Sequence, residues 1–155
     1  MALSRQVCVI LVFLMLPMEV FPMSILRMGK SCVFSEVTGV LLFNGEPAAG
    51  AIVKRQVEYQ TRDGDQTTAD EGGRFSLPAL YQRSAAKFLP AEFVAAQSLV
   101  VEYQGQEYRI WSNTKRTPEE NAELGGQPLQ LRCEITAEPR LHREFGSILR
   151  TNCTW

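Results

Sequence analysis

The sequence predicts an all-β protein, a single domain of short strands with two short helical insertions. Three observations carry this. Short runs rich in branched and aromatic residues recur along the chain, as in 34–43 (FSEVTGVLLF), 51–59 (AIVKRQVEY) and 99–103 (LVVEY). Asn-Gly, Asp-Gly and Gly-Gly pairs stand between such runs, and these residues turn a strand back on itself. The run 129–135 (LQLRCEI) alternates with period two, so Leu129, Leu131, Cys133 and Ile135 share one face. Short strands at regular spacing with frequent turns build a sandwich or a barrel.

Taken in order, Phe34 to Phe43 reads as a strand closed by the hairpin pair Asn44-Gly45. Ala51 to Tyr59 resumes the strand pattern, and Arg62-Asp63-Gly64-Asp65 reads as a turn. Asp70 to Gly73 is a further turn, followed by a strand over 74–77 that Pro78 closes. Between Leu80 and Gln97 the apolar residues recur at helical spacing, which predicts a helix from near Pro90 through Gln97. Leu99–Tyr103 and Tyr108–Trp111 form a hairpin about Gln104-Gly105-Gln106. Thr117-Pro118-Glu119-Glu120 has the layout of a capped helix start, and Gly125-Gly126 stops that second helix. Phe145 to Trp155 adds a final edge strand.

The composition bounds the function. A chain of 155 residues, 45% apolar and 21% charged, is one ordinary folded domain. Its formal charge of −1 gives no electrostatic footprint for nucleic acid. His142 is the one histidine, so a multi-histidine metal site is excluded, and no cofactor is expected. His142 lies in the charged stretch 140–144 and reads as a solvated surface residue. Asp63, Asp65, Asp70 and Glu71 are a fragment of a calcium loop without its distal ligands, and read as solvated turns. No phosphate loop, HExxH or CxxC motif is present. Asn152-Cys153-Thr154 has the spacing of a glycosylation acceptor and carries no weight here.

Residues 1–31 are assigned to an export signal or leader and 32–155 to the folded domain. Arg5 followed by the apolar run Val7–Leu16 has the layout of a secretory signal. A spanning helix needs about 20 apolar residues, and Glu19 and two prolines interrupt this one. Association with a membrane is expected only through an uncleaved leader or a lipidated Cys32, where Lys30 suits lipidation poorly. A start at Met23 would instead leave the chain leaderless and cytoplasmic.

With Cys8 in the leader, Cys32, Cys133 and Cys153 remain as disulfide candidates. An odd number leaves every single pairing open, and all three reduced if the chain stays in the cytoplasm. Tyr103, Tyr108, Arg109 and Trp111 make a tentative binding surface, because aromatics and arginine dominate interfaces. Aromatics on strands are more often half-buried packing residues than interface residues. Trp155 reads first as a packing or clamping residue.

Gly39-Val40, the stretch 44–53 (NGEPAAGAIV) and the stretch 67–75 (TTADEGGRF) together resemble the carboxypeptidase-regulatory-like, transthyretin-like (prealbumin-like) β-sandwich. That superfamily reads G-x-V, then N-G-x-P-x-x-G-A-x-V, then T-D-x-x-G-x-F. The resemblance covers about residues 36 to 77. The whole chain resembles a group of small bacterial proteins that carry this sandwich. Such domains are adaptor or stalk modules, so the resemblance implies a binding protein and no enzyme. The purine-degradation hydrolase of the same fold has several active-site histidines and a Tyr-Arg-Gly-Ser terminus. This chain has one histidine and ends Thr-Asn-Cys-Thr-Trp.

The expectation is therefore a non-enzymatic exported module that binds another protein in the periplasm or cell envelope. A periplasmic immunity or inhibitor protein against a secreted toxin is the sharper alternative. A small-molecule carrier is the second, and needs an aromatic-lined pocket. A structural accessory of the envelope is the plainest.

Overall fold

A computed structural model describes residues 29–84 and 92–155. The apolar run 7–16, the alternative starts and the expected helix start near Pro90 lie outside the described residues. The described chain is almost all strand: β1 (Lys30–Phe34), β2 (Val37–Phe43), β3 (Glu46–Pro47), β4 (Ile52–Glu58), β5 (Arg62–Thr68), β6 (Arg74–Leu77) and β7 (Leu80–Arg83) come first. They are followed by β8 (Ala95–Tyr103), β9 (Gln106–Lys115), β10 (Leu129–Glu134), β11 (Arg140–His142), β12 (Leu149–Thr151) and β13 (Cys153–Thr154). A six-stranded sheet runs β11-β12-β9-β8-β4-β5. A second sheet runs β13-β10-β2, with β3 and β6 sharing the far edge of β2, and β1 pairs with β7 in a third.

Local chemistry explains the second sheet. Asn44 and Gly45 take φ values of 52° and 84°, the left-handed pair a tight hairpin demands. Glu134 holds that turn by accepting the Asn44 and Gly45 N–H groups at 3.0 and 2.8 Å. Gly39 lies beneath the Phe75 ring and the Leu131 carbonyl, where a Cβ would collide with both. The 70–74 turn is closed by Asp70, whose Oδ1 accepts the Gly72 and Arg74 N–H groups at 2.9 Å each. The period-two reading of β10 holds: Leu129, Leu131, Cys133 and Ile135 are buried, and Gln130 and Arg132 are exposed. β10 runs parallel to β2, Leu129 opposite Val37 and Cys133 opposite Leu41.

Both larger sheets send their apolar side chains into one core. Val37, Leu41, Phe75, Leu131 and Cys133 come from one, and Val53, Val57, Leu99, Val101 and Trp111 from the other. The chain passes between the sheets at its end. Thr151 pairs with Trp111 in the six-stranded sheet, and Cys153 pairs with Cys133 in the second. Cys133 and Cys153, with Cα atoms 4.0 Å apart, form a disulfide across that pair of strands, and among the described residues Cys32 is a free, buried thiol. Closing a loop with a sequence separation of 20 contributes about 3 kcal/mol by restricting the unfolded chain.

Four expectations are corrected. Residues 95–97 belong to β8, not to a helix. Ala95, Gln97, Leu99 and Val101 point inward, and β8 is paired on both sides, by β4 and β9. Pairing along two edges outweighs the helical propensity of an alanine-containing stretch. The second helix reduces to a 3-10 turn at Ala122–Leu124. Asn121 before it is left-handed at φ 61°, Glu120 bonds Tyr81, and Glu123 is drawn inward. Arg62 to Asp65 is not a turn but the start of β5, paired residue for residue with β4. Arg55 and Asp65, opposite each other, form a two-pronged ion pair at 2.8 and 2.5 Å. Trp111 leaves the tentative binding surface. An extra residue in β9, Ile110, makes a bulge, because Leu99 pairs with Trp111 and Val100 with Arg109. The bulge turns both Ile110 and Trp111 into the core.

Candidate functional site

The change of sheet between β12 and β13 makes the principal cleft. Thr151 Oγ1 donates to the Ile110 carbonyl at 2.7 Å and accepts the Cys153 N–H at 3.0 Å, which sets the corner. Asn152 at that corner donates from Nδ2 to the carbonyls of Ile135 and Ala137 and draws the 135–139 loop toward it. The result is a cleft of about 600 Å³ lined by Ala137, Pro139, Arg140, His142, Asn152 and Trp155, among others. Trp155 stands edge-on to His142 at 5.2 Å and to Phe145 at 5.7 Å, yet stays 40% exposed. It therefore packs against the protein with one edge and still presents part of its indole to solvent. His142 is half-buried, not freely solvated, and its Nδ1 shares a 2.9 Å hydrogen bond with Glu144.

Two shallower grooves adjoin this cleft. One shares Thr154 and Trp155 with it and runs along the second sheet past Val40, Arg74 and Arg132. The other shares Ala137, Pro139 and Asn152, and reaches Tyr108 and Arg109. So two members of the tentative surface, Tyr108 and Arg109, border the region around the cleft. Tyr103 and Tyr108 are half-buried and pack edge-on against Phe43 at 5.3 and 6.3 Å. Arg109 is exposed, and Trp111 is wholly buried.

A second cluster of chemistry-bearing groups lies inside the protein. Lys115 Nζ donates to Glu123 Oε2 at 3.0 Å, to Ser35 Oγ at 3.1 Å and toward Cys32 Sγ at 3.8 Å. Glu123 also accepts the Ser35 N–H at 3.0 Å, the Ser35 hydroxyl at 2.7 Å and Gln97 Nε2 at 2.8 Å. Gln97 continues to Asn113 at 3.0 Å, and Asn113 to Ser147 at 2.8 Å. The side chains of Lys115 and Glu123 are 1% and 0% exposed. Burial pushes the Glu123 carboxyl up, but the Lys115 charge with the hydrogen bonds of Gln97 and Ser35 outweighs it and holds the group below its ordinary range. Burial pushes the Cys32 thiol up, against the pull of Lys115, so it stays protonated.

This interior cluster has no vacancy for a reactant. Three ammonium protons meet three acceptors, and four carboxylate lone pairs meet four donors. Its work is to tie β1, β8, β9 and the 3-10 turn together. Sequence reasoning missed it, because only the bulge in β9 brings Asn113 and Lys115, two and four residues beyond Trp111, to core positions where polar groups need partners. Among the described residues no group of His, Cys, Asp and Glu could hold a metal ion.

No curated protein and no solved structure matches the chain. Residues 37–138, more than half of the chain, match the family described as Domain of unknown function (DUF6795). That match runs from the start of β2 through β10 and stops short of β11, β12 and β13, so the cleft is built where the family's β-rich body meets the last three strands. The chain belongs to the DUF6795 family.

Proposed function

We propose that this protein is an exported, non-enzymatic β-sandwich of the transthyretin-like kind that binds another protein at the carboxyl-end cleft. The sandwich reading is supported by two sheets sharing one core, and by the residues that carried the resemblance. Gly39 admits Phe75, Asn44-Gly45 makes the hairpin, and Gly73, at φ 72°, sits against the Leu41 carbonyl. Export to the periplasm or envelope is supported by the disulfide, a bond that persists in oxidising compartments. Cys32 is held within β1, its N–H donating to the Pro118 carbonyl at 3.1 Å, which favours a leader over lipidation of that sulfur.

The observation that carries the binding reading is the partly exposed Trp155 on the rim of an apolar cleft, packed against His142 and Phe145. Aromatic anchors at such rims contribute disproportionately to protein association. An immunity protein is the form of this reading in which the partner is a toxin. A small-molecule carrier is the second reading, since about 600 Å³ falls within the range of ligand sites.

Site-specific photo-crosslinking in cells separates these readings. A benzophenone side chain at Ala137, on the cleft, is expected to give a discrete protein adduct, and one at Gln66, on the far edge strand β5, is not. Absence of an adduct at Ala137, or equal adducts at both positions, contradicts protein docking at the cleft.

A further inference from the structure

We propose that the cleft takes an extended, acidic segment of its partner, with carboxylate and apolar side chains in alternation. This rests on the docking reading above and names the chemistry of its occupant.

The backbone supplies the first reason. Among the described residues β11 pairs only with β12, and β13 only with β10. Each is the outer strand of its sheet, and the cleft is lined by residues of both. An outer strand leaves a row of N–H and C=O groups unpaired, which an added extended chain can satisfy. Alternation follows from the strand period: one face of the added segment meets the apolar lining, the other the charged rim.

The rim supplies the sign of the charge. From Leu129 to the end the chain has four arginines, Arg132, Arg140, Arg143 and Arg150, and no lysine. Arg140 lines the cleft. Arg132 lines the adjoining groove with Arg74, and pairing places Arg74, Val40, Arg132 and Thr154 in one row across the sheet, beside Trp155. None of these five arginines takes part in an ion pair among the described residues. Of the glutamates at this end, Glu134 and Glu144 stand outside the cleft lining. Glu134 accepts from Asn44, Gly45 and Thr136, and Glu144 from His142 and the Arg143 N–H. Glu138 alone lines the cleft without a hydrogen bond or ion pair among the described residues. An arginine-rich rim favours carboxylates, which its planar forks can hold in two-pronged fashion. From Leu129 to the end four arginines stand against three glutamates, a net charge of +1 where the rest of the chain carries −2.

The tryptophans make the test specific. Trp111 is wholly buried and Trp155 is not, so a change in emission on adding a ligand that vanishes in Trp155→Phe reports the cleft. A short synthetic peptide alternating Glu and Val is titrated against the full chain, beside its Lys and Val counterpart. The expected result is a saturable shift of Trp155 emission with the Glu peptide and none with the Lys peptide. The paired substitution Arg132→Gln with Arg140→Gln, folded by circular dichroism, is expected to weaken binding by about tenfold or more. Equal response to both peptides, or unchanged affinity in the arginine variant, overturns the acidic assignment. If neither peptide binds while Ala137 still crosslinks a partner, the acidic assignment falls and the docking reading stands. If the crosslink is absent too, both fall.

Discussion

Lys115→Met is expected to destabilise the protein by about 3–5 kcal/mol, because it strands the Glu123 carboxylate in the core without its counter-charge. Methionine fills much of the lysine volume, so the loss is electrostatic and not a cavity effect. The double variant Lys115→Met with Glu123→Gln is expected to recover a substantial part of the loss. A glutamine amide keeps an acceptor for the Ser35 N–H and Gln97, and turns a donor toward Ser35 Oγ. Urea unfolding of the two variants and the parent measures this, and a double variant less stable than Lys115→Met contradicts it. The pH dependence follows from the same pair. The folded state holds the Glu123 carboxyl below its ordinary 4.5, so the contribution is complete above that value. It is lost as pH falls below 4.5 and through the lower folded value. Glu134 is shifted in the same direction, so the comparison is with Glu123→Gln, which is expected to lose less stability over that acid range.

Trp111→Ala is expected to cost about 3–5 kcal/mol, since it empties the largest fully buried side chain of the core. Trp111→Phe is expected to cost less than half as much. Among the described residues the indole Nε1 has no hydrogen-bond partner, so phenylalanine gives up volume but no bond within them. Thermal or urea denaturation of both variants checks the ratio. Equal costs would mean that the N–H has a partner in solution. Neither variant is expected to alter peptide binding at the cleft, because Trp111 faces the core and Trp155 carries that site.

What was legible in the sequence was local. The Asn44-Gly45 hairpin, the inward face of β10 and the strand content all follow from turn chemistry and period two. The helices failed where pairing partners distant in sequence decided the outcome. Nothing near Ala95 announces β4 and β9 on either side of it, and nothing near Glu123 announces Lys115 and Ser35. Whether Trp111 faces the core or the surface turns on a bulge that shifts every later residue of β9 by one, and no residue type at Ile110 demands it. Spacing alone does not choose among the cysteine pairings. The strand register does, setting Cys153 directly opposite Cys133. The cleft was the least legible part, since it depends on the chain changing sheets at Asn152. Tyr108 and Arg109 border its neighbourhood, and Trp155 lines it.

The most direct measurement is the intact mass of the native protein from fractionated cells, with and without reduction. An exported, stapled module predicts a periplasmic species shortened at its amino terminus. It is about two mass units lighter before reduction, as one disulfide holds two fewer hydrogens than two thiols. A cytoplasmic species beginning at Met23, with all thiols free in both samples, would contradict the account.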